Sequence, residues 1–231
     1  MSLHPHHFSL NILKALIDSA PKAFPAEKRT EMGKSYEALL ANLQASQAEI
    51  EETMIAFGKE IWPYRKAFWK MHDIYGSKRE GVIVKEKLSP ELRSKFLEFV
   101  SGGGDLEDFR HGAVLEETFT PEEKFTLGQA ELEAHDQVDA EIETMCQGEK
   151  QAEFQEMVNG FQAFRDKLIE KINILKGMAQ QAPKWAGEIE EKARTFEEGF
   201  SLLEKSYNIE DIDGAVDYYQ GVIDEFSPES A

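Results

Sequence analysis

The chain has 231 residues, of which 41% are apolar and 16 are glycine, close to the roughly 45–50% of globular chains. That excludes wholesale disorder, and the length accommodates one or two domains of ~100–200 residues each. Lys and Arg number 26 against 44 Asp and Glu, a net charge of −18, which argues against broad binding to phosphate backbones or anionic lipid.

The lone cysteine, Cys146, excludes an intrachain disulfide and a multi-cysteine zinc site. The N-terminus lacks a basic leader region, and Asn11, Lys14 and Asp18 interrupt its apolar stretch, so it reads poorly as a signal peptide. No run approaches the ~18 apolar residues of a membrane span. The expected compartment is the cytoplasm, and no membrane association is expected.

In chain order, Ser9 is an acceptable cap for a short amphipathic helix ending near Ser19, followed by Pro21 and Pro25. From residue 26 to residue 75 no strong terminator occurs. A row of alternating 3 and 4 spacings runs Leu40, Leu43, Gln47, Ile50, Met54, Phe57, Ile61, Tyr64, Phe68, Met71, Tyr75. That is the signature of coiled-coil or long-bundle packing, with Gln47 as the polar exception that could fix register. Pro63 lies inside the row and should kink or divide the helix near Ile61.

Residues 76–119 break the pattern and predict a small mixed insertion. Residues 82–84 (Val-Ile-Val) read as a short strand opposite a second at 114–115. Between them Ser89-Pro90 opens a helix that ends at Gly102–Gly104, and Asp105 caps another short helix toward His111. Thr120-Pro121-Glu122-Glu123 is a strong helix start, with negative charge where the helix dipole favours it. Helix continues from there to about residue 182, with Phe125, Leu132, Val138, Ile142 and Met145 as its apolar stripe and a stutter expected at 148–151. Two further helices follow Pro183 and Asn208. The run from Asp211 to Pro228 is similar to the second helix of a tetratricopeptide repeat at Ala215, Tyr219 and Pro228. No second copy occurs at the ~34-residue period, so no function follows from it.

The predicted fold class is therefore mainly α: an elongated antiparallel bundle of long helices with coiled-coil-like packing and a small mixed α/β insertion at one end. The expected organisation is an N-terminal helical segment 1–75, an insertion 76–119, and acidic helices 120–231 completing a single bundle.

The charge is unevenly placed. Residues 1–115 hold 16 basic and 16 acidic side chains, whereas residues 116–231 hold 10 and 28. Residues 59–95 carry ten basic groups against five acids, together with Trp62, Tyr64, Phe68, Trp69 and Tyr75. Trp, Tyr and Arg most often anchor interfaces. Trp62 and Trp69 lie seven apart and off the heptad row, which suggests a second contact surface. The expected function is non-enzymatic: a protein-interaction or scaffolding module whose basic aromatic segment docks an acidic surface through Trp62, Arg65, Lys66, Trp69 and Lys70. The partner is a protein, possibly a second copy forming a homodimer; nucleic acid is not expected. No catalytic residue, metal or cofactor is assigned.

The alternative is a metal-binding bundle. Glu131 and His135 are four apart and share a helix face, and His72 and Glu60 could join them. Glu107 and His111 have the same spacing, but such pairs arise readily in a chain this acidic. Gly102–Asp105 lacks the strand and the Lys-Ser/Thr of a phosphate loop and reads as a helix stop. Cys146 lies among Glu141, Glu143 and Glu149, which disfavour a reactive thiolate.

Overall fold

In a computed structural model of the chain, the described residues are 4–104, 119–181 and 187. Seven helices occur among them: α1 (His7–Asp18), α2 (Ala26–Ala41), α3 (Gln47–Tyr75), α4 (Ser77–Lys87), α5 (Pro90–Ser101), α6 (Pro121–Gln147) and α7 (Gln151–Gln181). The chain is mainly α, and no strand occurs among the described residues. Residues 114–115, the short helix toward His111, both helices after Pro183 and the repeat-like run at 211–228 lie outside those residues.

Residues 82–84, expected as a strand, are helical and belong to α4. The inward-facing positions are Glu80, Ile83 and Val84, spaced as one helical face, and the tertiary contact with α6 overrides the β-branched preference. Lys85 and Lys87 in the last turn suit the helix dipole.

The helix expected over 26–75 is divided at residues 42–46 rather than at Pro63. Asn42 Oδ1 accepts from the Gln44 N–H at 3.1 Å, and Ser46 Oγ accepts from the Glu49 N–H at 3.2 Å. These short polar side chains offer the backbone local partners that compete with the helix. Leu40 and Leu43, the first two positions of the heptad row, are consequently exposed, as is Gln47. From Ile50 onward the row turns inward: Ile50, Met54, Ile61, Phe68 and Met71 are buried. Pro63 does not divide α3, which runs through it.

The helix starts behave as their sequences require. Ser89 Oγ caps α5 by accepting from the Leu92 N–H, with Pro90 in the first turn. Thr120 and Glu123 form a reciprocal capping box on α6, with bonds of 2.9 and 3.2 Å. Gly103, at φ 94°, follows the end of α5 in a conformation that glycine adopts without strain. The stutter expected at 148–151 is a break between α6 and α7.

The chain forms two compact units. The first comprises Met1–Ala67 with Ala152–Ala231, the second Phe68–Gln151. The first is built around Leu10, Leu13, Leu16, Phe24, Ile50 and Ile61, with Phe24 edge-on to Tyr64 at 5.0 Å. In the second, α4 packs on α6, and Met71, Ile83, Val84, Leu127, Ala134, Val138 and Ile142 are buried.

Candidate metal centre

Within the second unit α6 presents Glu131, His135 and Asp139 at positions i, i+4 and i+8. Each step of four advances a helix by about 40° beyond a full turn, so all three lie on one face. Opposite them stand His72, in the last turn of α3, and Glu80, in the first turn of α4.

Gly76 makes this meeting possible. Its N–H donates to the His72 carbonyl at 2.6 Å. A Cβ here would lie 2.8 Å from that carbonyl oxygen, 2.9 Å from Val138 Cγ1 and 3.1 Å from the His72 ring. A side chain would force the α3–α4 junction away from α6, and with it His72 and Glu80.

The cluster is compact and largely buried, with Asp139 at its more exposed edge. Glu131 is 0% exposed, His72 6% and Glu80 6%. His135 Nδ1 lies 2.6 Å from Glu80 Oε1, and His72 Nε2 lies 3.2 Å from the same oxygen. Asp139 Oδ1 stands 3.5 Å from His72 Nε2, and Asp139 Oδ2 stands 3.6 Å from His135 Nε2. Neither His72 Nε2 nor Asp139 Oδ1, both buried, makes a hydrogen bond among the described residues. Trp69 roofs the site, stacked on His135 at 6.0 Å and 23° and edge-on to His72 at 5.7 Å.

Burial pushes the Glu80 carboxyl up, but the His135 hydrogen bond and the close approach of His72 outweigh it and lower it to about 2. Glu80 is therefore a carboxylate, and the short contact places the His135 proton on Nδ1. His135 Nε2 on the other side of the ring stands 3.6 Å from Asp139 Oδ2. Burial also raises the Asp139 carboxyl, and there the two histidines offset it only in part. Three carboxylates with two imidazoles in an apolar setting carry excess negative charge, which a cation or protons must balance. The ligand-type atoms of His72, His135 and Asp139 lie within 4.8 Å of one another, as do those of Glu80, Glu131 and His135.

Sequence reasoning paired His135 with Glu131, and both lie in the cluster with His72. Glu60 does not join them: it lies in the first unit, where Lys28 pairs with it at 2.6 Å. Glu80 and Asp139 were missed. Asp139 continues the Glu131–His135 spacing by one more step of four and could have been found. Glu80 depends on the turn at Gly76 and could not.

The five residues expected to bind a partner are split between the units. Trp62 is 3% exposed and sits edge-on to Phe161 in the first unit at 6.0 Å. Arg65 is buried, and Lys66 lies 5.8 Å over the Phe161 ring. Trp69 belongs to the second unit and is 42% exposed; Lys70 is exposed beside it. Basic residues of 59–95 find acids of the C-terminal half within the same chain. Arg79 pairs with Glu141, Lys87 with Glu133 and Lys95 with Glu123. Cys146 is buried in the inward face of α6, and Glu107 and His111 lie outside the described residues. No helix among the described residues is long and apolar enough to cross a membrane. Compared with known protein families, curated proteins and solved structures, the chain matches none of them.

Proposed function

We propose that the protein is a metal-binding helical protein, holding one divalent first-row transition ion between His72 Nε2, His135 Nε2 and Asp139. Glu80 accepts the His135 Nδ1 proton, the carboxylate–histidine–metal arrangement that orients a ligating imidazole. The observation that carries the reading is the pair of buried, unbonded atoms His72 Nε2 and Asp139 Oδ1. Bonds of ~2.0–2.2 Å place neighbouring ligand atoms ~3.0–3.5 Å apart, and Asp139 stands 3.5 Å from His72 Nε2 and 3.6 Å from His135 Nε2. Two imidazoles with carboxylate and no thiolate suit iron(II), manganese(II) or zinc(II).

The test is elemental analysis of the purified full chain, then titration of the chelator-treated protein with each of those ions. About one equivalent is expected, with Trp69 fluorescence changing as the ion enters. His135→Ala and His72→Ala should both lose it. An empty native protein that takes up no ion, with no difference between it and the variants, removes this reading.

A second reading is a non-enzymatic interaction module, docking a protein partner or a second copy through the basic aromatic segment, with coiled-coil-like packing along the heptad row. It is supported by the exposure of Trp69 and Ile74 on the α3 surface beside Lys70. The buried lone Cys146 is in keeping with a cytoplasmic location. Sedimentation at low and high salt tests it: a monomer at both, indifferent to ionic strength, counts against a homodimer.

A further inference from the structure

The first unit carries a constellation that the metal reading does not use. A cavity of about 320 Å³ lies among α2, α3 and α7, bordered by Lys28, Lys59, Glu60, Tyr64, Gln162 and Arg165. Three cations, Lys28, Lys59 and Arg165, stand on its border. Lys59 is half-buried, and among the described residues its ammonium meets no carboxylate or carbonyl. The Tyr64 hydroxyl, on another half-buried side chain, makes no hydrogen bond there either. Arg165 is held in place by donating through Nη1 to the Lys59 carbonyl. Its carboxylate neighbour, Asp166, stands 3.3 Å away and is largely exposed. The one carboxylate on the border, Glu60, is already taken by Lys28.

With Lys28 paired to Glu60 and Arg165 to the exposed Asp166, the Lys59 ammonium is the unbalanced charge on a small cavity, and it and the Tyr64 hydroxyl are free to donate. A volume at the lower end of the ~300–1,000 Å³ of ligand pockets fits a small molecule. A phosphate monoester suits this lining: it is an anion at neutral pH, with three acceptor oxygens for the Lys59, Tyr64 and Arg165 donors. We infer that this cavity binds a small phosphorylated metabolite, with Lys59 and Tyr64 donating to its phosphate and Arg165 supplying fixed positive charge. The site is independent of the metal centre and does not rest on that reading.

Calorimetric titration of the full chain with inorganic phosphate and glycerol 3-phosphate tests it, with succinate at matched ionic strength as the comparison. Saturable binding of both phosphates is expected, with the ester tighter. Lys59→Met leaves the carbonyl that holds Arg165 untouched and should weaken binding roughly tenfold or more, and Tyr64→Phe by a few-fold, at unchanged helical content. Binding should persist after chelation and in His135→Ala. Absence of saturable phosphate binding at millimolar concentration, equal binding of succinate, or affinities unchanged in both Lys59→Met and Tyr64→Phe would each overturn the proposal. If Lys59→Met fails to fold, Tyr64→Phe alone decides it.

Discussion

Arg165 donates to the backbone carbonyl of Lys59 that Pro63 leaves without a helical donor. In an α-helix the N–H of each residue bonds the carbonyl four residues earlier. Proline has no N–H, so a proline inside α3 orphans the carbonyl at 59, an interruption costing ~3 kcal/mol or more in an unsupported helix. A guanidinium from α7 supplies the missing donor, which explains how α3 runs through Pro63 undivided.

The arrangement predicts an energetic coupling. Arg165→Met should destabilise the protein by about 1–3 kcal/mol, the usual cost of a buried acceptor losing its partner. In a Pro63→Ala background a backbone N–H at 63 takes the carbonyl, so the same arginine substitution should cost clearly less. A double-mutant cycle from denaturant unfolding measures the difference. Equal costs in the two backgrounds would show that the arginine acts elsewhere.

The metal reading predicts a particular dependence on acidity. Protons compete with the ion for each ligating imidazole nitrogen. With His72 and His135 both bound, the slope of log affinity against pH approaches two on the acid side. In His72→Ala the residual affinity should follow a slope near one. Titrations with zinc(II) or manganese(II) at several pH values read the slope directly. A slope of one in the unaltered protein would remove one histidine from the ligand set.

What the sequence makes legible follows the range of the interactions. The caps at Ser89 and Thr120 are read from adjacent residues and appear as written. The inward face of α6 is harder. Phe125 and Leu132 were expected on its apolar stripe, yet they are 69% and 42% exposed. The buried face is Leu127, Ala130, Glu131, Ala134, Val138, Ile142 and Cys146. A carboxylate occupies a core position, and a search for apolar spacing passes over it. The break at 42–46 was hidden because Asn42 and Ser46 act through single hydrogen bonds rather than through proline or glycine. Two of the five cluster residues were legible as the Glu131–His135 spacing. His72 and Glu80 reach it through the backbone turn at Gly76, a geometry that neither spacing nor composition encodes.

That turn gives a paired prediction. Gly76→Ala places a methyl group against the His72 carbonyl and Val138, and should destabilise by about 1–3 kcal/mol while weakening metal uptake. Gly33→Ala, in α2, meets nothing within 4 Å and should instead stabilise by ~0.5–1 kcal/mol through helix propensity, without effect on the ion. Melting curves with and without metal separate the two. Equal behaviour of the variants would mean that the close approach at Gly76 does not hold the site.

Glu80 and Asp139 should respond in opposite directions in the metal-free protein. The Glu80 carboxyl, burial notwithstanding, is lowered from its ordinary 4.5 to about 2 by the His135 hydrogen bond and the close approach of His72. A carboxyl depressed on folding stabilises the protein above its unfolded pKa, and that contribution disappears as pH falls from about 4.5 toward 2. Its full size is ~3 kcal/mol at 1.36 kcal/mol per pKa unit, so Glu80→Gln should destabilise near neutral pH and flatten the acid limb of the stability curve. Asp139 is raised, chiefly by burial, so its charged form opposes folding once pH exceeds the ordinary value of 3.8. Asp139→Asn removes that burden and should raise the melting temperature of the metal-free protein at neutral pH. On the metal reading the same substitution deletes a ligand and should abolish the stabilisation expected when metal is added to the unaltered chain. Stability gained without metal and response lost with it is the pattern of a functional residue held against the preference of the fold. If Asp139→Asn instead lowered stability without metal and kept the response to it, Asp139 would be a structural partner of the histidines rather than a ligand.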